Sequence, residues 1–481
     1  MGGEYRKDRY SMYKFESVAQ EIEEWIARGI LGAGDQVPSV RRMSTKFGYS
    51  TVTVHQAYSY LMDKGVLESR PRSGFYVSRQ NRVLPGFERS DMVKLKPANR
   101  RAAAAALMSR AQHLDLNQHL PGTGSVDMAQ DLVATQNLRT IYKRQLRHEL
   151  ADRANLNVRT GNELKEALAK TLAHSGRRQS SDDLTIHPSF AYAMKFALDL
   201  ADVEDKTVLV ETPTNWDIVQ TALERKANIV EIYSHPVYGV DPEQFEHIIR
   251  EKKIDVFIIT ANNHCPTGIT YPREVMRQII EIAVKHNVLL IEDMSGYYLS
   301  KPGDTAEFSL FGMDEDVIRV GGFRDILGQE YALGWVSAGS KFSARVPVGA
   351  PYLPDVLGFP SLQKTIAEFI TRRGFETYMR DTIASLSART RRNMSSIFRT
   401  FPDGCTVSQP SVGYFCWVRG PKHFDAGKEL RGLQQQGASF LPGTSFSVSG
   451  SFPNFFALNL SIENSDEFLT DATAIGEALS R

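Results

Sequence analysis

The chain is 481 residues long, 42% hydrophobic and 23% charged, with a net charge of +1. That is the composition of a globular chain with a large core, long enough for about three domain-sized units. No window approaches the ~18 apolar residues of a membrane span, and the start, MGGEYRKDRYSMYKF, lacks the apolar run of a signal peptide, so a cytoplasmic protein with no membrane partner is expected. Cys265, Cys405 and Cys416 are too few and too scattered for a disulfide framework or a metal-binding spacing, so no metal is expected.

The small net charge conceals an asymmetry. Residues 1–113 carry 19 Lys and Arg against 11 Asp and Glu, a net +8, and the remainder carries 38 against 45, a net −7. A basic head on an acidic body points to a polyanionic partner for the head.

Taken in chain order, YKFESVAQEIEEWIARGIL places Val18, Ile22, Trp25 and Ile26 at helical spacing, with Gly29 and Gly32 to Gly34 as the stop. After Pro38, SVRRMSTKF reads as a short helix capped by Ser39 and ended before Gly48. Ser50 caps a third helix, TVTVHQAYSYLMDK, whose buried stripe is Val54, Ala57, Tyr58, Leu61 and Met62, with Gly65 after its end. Two short helices across a glycine turn form a helix-turn-helix. Two β-like runs follow, Val66 to Ser69 and Phe75 to Val77, joined by a basic turn with Pro71 and Gly74 that reads as a wing. Thr51, Thr53, His55 and Gln56 lead the third helix and suit base edges, while Arg41, Arg42, Arg70 and Arg72 suit phosphates or the minor groove.

Residues 13–78 resemble the winged-helix domain of the GntR family of bacterial regulators, through GDQVPSVRRM and FGYSTVTVHQAYSYLMDKGVLESRPRSGFYV. The resemblance implies operator DNA as partner, with Arg41, the helix start from Ser50 to Thr53, and Gly74 of the wing involved in binding. The family commonly has Ser-Arg where this chain has Ser50-Thr51, which implies an altered contact and operator. The winged head is thus assigned to residues 1–78. A basic linker is assigned to 79–113, rich in Pro, Gly and Ala and poor in periodic apolar residues.

From residue 114 to 481, short apolar runs alternate with helical patterns. TVLVET (207–212), DVFIIT (255–260), VLLIED (288–293) and VIRVGGF (317–323) are nearly unbroken and β-branched, as in strands buried on both faces of a parallel sheet. Val275, Ile279, Ile280 and Ala283 of an intervening segment share one helical face. An α/β domain with a mainly parallel sheet follows, and ligands of such sheets bind at the strand carboxyl ends.

Those ends read ETPTNWD, TANNHCPTG, EDMSGYY and GGFRDILG, a series that resembles the fold-type I aminotransferases. Behind a GntR-like head it resembles the MocR subfamily of regulators. The likeness runs from GNELKEALAKTLAHSGR through CPTG, LLIED and ALGWVSAG to VGYFCWV and LPGTSF. It implies a large aminotransferase-like domain with a smaller C-terminal subdomain, a homodimer, and pyridoxal 5′-phosphate (PLP) used to sense an amine or amino acid.

The cofactor positions depart from that pattern. The lysine that forms the internal aldimine falls at Asp325 in GGFRD, and neither a carboxylate nor the permanently protonated Arg324 forms an imine. The phosphate-clamping arginine corresponds to Ala332, the glycine of the phosphate turn to Ser189, and the tyrosine near the pyridine-binding aspartate to Ser295. The asparagine before PTG corresponds to Cys265, the carboxylate-gripping arginine to Asn459, and the aromatic over the ring to Asn215, with Trp216 adjacent. Asp293 remains, as do the scaffold residues Pro266, Thr267, Gly268, Gly334 and Trp335. The expectation is a DNA-binding regulator whose body has a degenerate PLP site and no catalytic residue. That body would serve dimerisation and the sensing of an unknown small-molecule effector, with Asn263, His264, Asp293, Arg324 and Asp325 as polar groups for a ligand or for an internal salt-bridge network. Two alternatives stand beside it: a sensor that holds PLP non-covalently through Asp293 and backbone donors, and a working aminotransferase.

Overall fold

A computed structural model describes residues 14–27, 30–31, 35–63, 66–70, 73–77, 84–96, 122–151, 162–174, 180–300, 316–343, 360–372, 374–410 and 413–481. Gly29, Gly32 to Gly34, Gly65, Pro71 and Arg72 lie outside the described residues, as does the basic stretch 79–113 apart from 84–96. The chain forms two compact units, one of Met1–Leu84 with Ser395–Thr400 and one of Pro85–Met394 with Phe401–Arg481. No described helix is long and apolar enough to cross a membrane.

In the head, α1 (Lys14–Ala27), α2 (Val40–Phe47) and α3 (Thr51–Asp63) precede a hairpin of β1 (Leu67–Arg70) and β2 (Gly74–Val77). Ser39 caps α2 by accepting the Arg42 N–H at 3.3 Å, and Gly48 ends it at φ +67°, a left-handed turn that a β-carbon disfavours. Ser50 Oγ accepts the Thr53 N–H at 3.1 Å and starts α3. Val18, Ile22, Val54, Ala57, Tyr58 and Leu61 are buried in one core, as their spacing predicts, with Trp25, Ile26 and Met62 packed partly against it.

The body is built on an eight-stranded sheet of β3 (Leu184–His187), β4 (Thr207–Thr212), β5 (Asn228–His235), β6 (Gly239–Val240), β7 (Val256–Ile259), β8 (Leu289–Asp293), β9 (Val317–Gly322) and β10 (Gly334–Ser337). Their order is β3-β10-β9-β8-β7-β4-β5-β6, with β5, β4, β7, β8 and β9 parallel. The pairings of β10 with β9 and β3 and of β6 with β5 are antiparallel. Both faces are covered, which is why the strands read as unbroken apolar runs. Val208 and Val210 point into one core with Ala193 and Ala197, while Leu209 points into the other with Phe257 and Ile280. Gly321 has no room for a side chain, since a β-carbon there would lie 2.3 Å from the Trp335 ring.

A second, four-stranded antiparallel sheet has the order β11 (Thr406–Val407), β12 (Phe415–Arg419), β14 (Phe455–Asn459), β13 (Leu441–Pro442). The Glu231 carboxylate on β5 reaches the loop leading to β14, accepting the Val448 N–H at 2.7 Å, the Ser449 N–H at 3.1 Å and the Ser447 hydroxyl at 2.9 Å. Residues 85–96, within the stretch read as a linker, lie on the body. Phe87 is 6% exposed and stacks on Phe455, Asp91 pairs with Arg419 at 2.7 Å, and the Lys96 N–H donates to Ser451 at 3.1 Å.

A polar cluster is buried beneath the parallel strand ends. Glu211 on β4 accepts from the Tyr271 hydroxyl, from Ser234 at 3.0 Å and from the Thr260 N–H at 2.6 Å, and its carboxylate lies 3.7 Å from His264 Nε2. Burial pushes the Glu211 carboxyl up to about 7 and the Asp293 carboxyl up to about 6, and it pushes His264 down to about 3. A carboxyl with a raised folded pKa binds a proton in the folded state that the unfolded chain releases. Glu211 and Asp293 therefore weaken the fold as pH rises from about 4 to about 7, whereas His264 acts oppositely, weakening it as pH falls below about 6.5. Glu211→Gln is expected to lift the downward contribution, so that the difference in urea-unfolding free energy between wild type and variant changes steadily between about pH 4 and pH 7 and is flat above. A difference independent of pH across that window would contradict the raised Glu211 carboxyl.

Candidate DNA-contacting face and strand-end cleft

The N-terminal turn of α3 presents Thr51, Val52, His55 and Gln56 outward, while Val54 and Ala57 anchor the opposite side in the core. Val52, at 76% exposure, is an apolar member of that face and falls within the helix start from Ser50 to Thr53, though it was not singled out from sequence. Thr53 is partly buried and its hydroxyl lies 2.9 Å from that of Ser50, so these two residues build the helix start rather than extend from it. Arg41 and Arg42 are exposed on α2. Arg70 is engaged instead: it donates to Glu68 at 2.7 Å and lies 4.1 Å over the Tyr76 ring. Gly74 opens β2 at φ +108°, and a β-carbon there would meet the Gln36 amide at 3.2 Å. Arg72 belongs to this group in the sequence but lies outside the described residues.

In the body, the carboxyl ends of β4, β7, β8 and β9 open on a cleft of about 1400 Å³. Asn215, Asn263, His264, Ser295, Arg324, Asp325 and Asn459 all line it, so seven of the nine residues expected there from sequence come together. Ser189 and Asp293 do not line it. Ser189 caps α4 (Phe190–Leu200), accepting the Tyr192 N–H at 3.4 Å, and its carbonyl lies against Gly334. Asp293, at the end of β8 and 1% exposed, accepts the Ser295 N–H at 2.8 Å and the Thr260 hydroxyl at 3.1 Å.

Most of the lining residues are already committed. Asn215 caps the helix that starts at Trp216, accepting the Asp217 N–H at 3.1 Å. Asn263 stands in a left-handed turn at φ +48° and donates its N–H to Thr270 at 3.2 Å. His264 bonds Thr267 through Nδ1 at 2.9 Å and faces Glu211 through Nε2. Asn459 donates to the carbonyls of Ser125 at 3.0 Å and Asp127 at 2.7 Å, and its own carbonyl accepts from Ser461 at 2.9 Å and 2.7 Å. Arg324 donates to Asp127 at 2.7 Å, so its ion pair is with a residue outside the set foreseen from sequence. Asp325 accepts the Tyr414 hydroxyl at 3.0 Å. Burial, with the nearby charges of Asp127 and Asp217, holds the Asp325 carboxyl above its ordinary range against the lowering effects of Tyr414 and Arg324.

Sequence reasoning missed several members of the cleft: Asp127, Asp131, Asp217, Glu463, Glu467, Tyr414 and Ser445. Asp217 and Tyr414 stand inside quoted motifs, whereas Asp127 and Asp131 arrive from far along the chain with no local signal. Six carboxylates line the cleft, and Arg324 is the one lining guanidinium among the described residues. No lysine is among those lining residues, and Lys341 sits at the surface paired with Asp316.

Comparison with known proteins accords with this architecture. The model for bacterial regulatory proteins of the gntR family matches residues 14–77, and that for aminotransferase class I and II matches residues 129–323. The chain is 25% identical to the uncharacterized HTH-type transcriptional regulator YdcR of Escherichia coli, over 93% of this chain and 95% of that one. It is 23% identical to the probable rhizopine catabolism regulatory protein MocR of Rhizobium meliloti, over 88% and 85%. Among solved structures, the α-aminoadipate aminotransferase LysN of Thermus thermophilus superposes with a TM-score of 0.68 at 16% identity, over 79% of this chain and 96% of that one. The chain therefore joins a GntR-family helix-turn-helix domain to an aminotransferase class I and II domain, the organisation of the MocR- and TauR-type regulators.

Proposed function

We propose that this chain is a DNA-binding transcriptional regulator whose aminotransferase-like body has no aminotransferase activity and serves for dimerisation and for sensing a small molecule. The observation that carries the first half is the winged head itself, with the outer face of α3 and the exposed Arg41 and Arg42 beside it. Relatives named as HTH-type transcriptional regulators span nearly the whole chain, which supports the same reading.

The residues around the cleft do not fit PLP held as a Schiff base. Such a bond needs an amine, and the position after β9 supplies the Asp325 carboxylate, bonded to Tyr414. A phosphate needs cationic or amide donors, yet Arg324 donates to Asp127, and the other charged lining residues among those described are carboxylates. A second reading, PLP held non-covalently, is favoured by one observation: Asp293 keeps its place at the end of β8.

Replacing both Arg41 and Arg42 by alanine is expected to weaken binding to a duplex selected from a random pool by tenfold or more and to lower the salt slope by about two. Fluorescence anisotropy at several salt concentrations measures this, and unchanged affinity would remove these arginines from the interface. Titration of the full chain with PLP, followed by borohydride, is expected to leave no reduced adduct. A saturable spectral change without an adduct would favour non-covalent holding, and an adduct mapped to one lysine would overturn the reading of Asp325. Light scattering of the full chain is expected to return a dimer; a monomer would sink that part of the proposal.

A further inference from the structure

What α3 lacks limits which bases it can read. The helix spans 13 residues, Thr51–Asp63, and none of them is arginine or lysine. Bidentate pairing of those two side chains with O6 and N7 of guanine is the commonest base-specific contact in the major groove, and α3 cannot make it. The exposed Arg41 and Arg42 stand instead on α2, which in a helix-turn-helix crosses the phosphate backbone.

We propose that α3 reads a core of A·T pairs in the major groove, with Val52 packed on the C5-methyl of a thymine and Gln56 paired with an adenine within about two base pairs of it. The inference rests on the reading of the head as a DNA-binding unit and specifies which bases that unit selects.

Elimination leaves few side chains of α3 for base edges. The Thr53 hydroxyl is spent on Ser50, and Val54 and Ala57 are buried in the core. His55 is exposed, but its ring stands edge-on to that of Phe75 with centroids 5.9 Å apart, which braces it against β2. Gln56 is exposed, and its amide has no hydrogen-bond partner among the described residues. Such an amide matches N6 and N7 of adenine as a bidentate pair. Val52 lies four residues earlier, on the same face of the helix, and is 76% exposed. A lone exposed valine is ordinary on a protein surface, but on this face its methyls meet base edges. Thymine alone presents an apolar group there; cytosine and adenine would set an amino group, and guanine two acceptors, against a side chain that pairs with neither. The Thr51 hydroxyl, exposed beside Val52, suits any of these bases and adds no preference against A·T. Four helical residues rise about 6 Å and base pairs stack about 3.4 Å apart, which sets the spacing of the two contacts.

Selection of a duplex from a random pool by the full chain gives the first readout. Enrichment of A·T pairs at the core of the motif is expected, and a core of G·C pairs overturns the inference. In the enriched duplex each thymine is then replaced singly by deoxyuridine, which lacks only the C5-methyl. Fluorescence anisotropy is expected to show one position at which the loss of that methyl weakens the wild type by about three- to fivefold, the effect of one apolar methyl contact. Val52→Ala is expected to bring the ratio of thymine to deoxyuridine affinity at that position close to one. Gln56→Ala is expected to lower the preference for adenine at a position within two base pairs by about tenfold. Both sites are exposed, and the thermal midpoint of each variant reports whether it folds. The inference is overturned if no thymine responds to loss of its methyl, if Val52→Ala keeps the wild-type ratio, or if Gln56→Ala keeps the wild-type preference for adenine. A pool that yields no enriched duplex removes the DNA-binding reading and this inference with it. An enriched duplex without a methyl-sensitive thymine removes this inference alone.

Discussion

The body depends on one clasp. Asn459, the last residue of β14 in the smaller sheet, holds the backbone carbonyls of Ser125 and Asp127, while the Asp127 carboxylate holds Arg324, just past the end of β9 in the larger sheet. One short segment is thereby bonded to both sheets across the mouth of the cleft. Asn459 is buried, and leaving its amide or the two carbonyls unpaired would cost the full desolvation of each. The clasp thus fixes where the cleft closes and which side chains face it.

That arrangement accounts for how the pocket came to be acidic. The same clasp brings Asp127 and Asp131 to the cleft, and each binds an arginine, Arg324 or Arg389. Among the described residues, Arg324 is the lining guanidinium, and its Nε is bonded to Asp127. Asp217 and Asp325, which follow the ends of β4 and β9, also line the cleft, and the charges of Asp127 and Asp217 help to raise the Asp325 carboxyl. Beneath it, Glu211 and Asp293 are satisfied by hydroxyls and backbone amides and support the strand ends without lining the cleft, whereas His264 lines it, bonded to Thr267 through Nδ1 and with no hydrogen bond at Nε2 among the described residues.

Much of this was legible before the fold was known. The head could be read almost residue by residue, because its signals are local: caps at Ser39 and Ser50, a left-handed glycine at Gly48 and a stripe of apolar residues at helical spacing. The strands of the body were legible for a similar reason, since a strand buried on both faces must be apolar at every position. Six of the nine expected cleft residues arrived there because strand ends in a parallel sheet share one edge, and a seventh, Asn459, came from the smaller sheet. The role of Asn459 was not legible. In sequence it stands where a ligand-gripping arginine belongs, yet its partners lie more than three hundred residues away.

Sequence alone determined the winged head, the parallel sheet, and that residue 325 carries a carboxylate, which forms no imine, because each follows from local spacing or from side-chain chemistry. Tertiary structure alone decided that Asn459 is a structural bond, that Arg324 answers to Asp127, that residues 85–96 lie on the body, and that carboxylates outnumber guanidiniums among the described lining residues. The physical reason is one of range. Helix caps and strand alternation act over a few residues, whereas the charge of a pocket is the sum of side chains brought together from segments that sequence spacing does not relate.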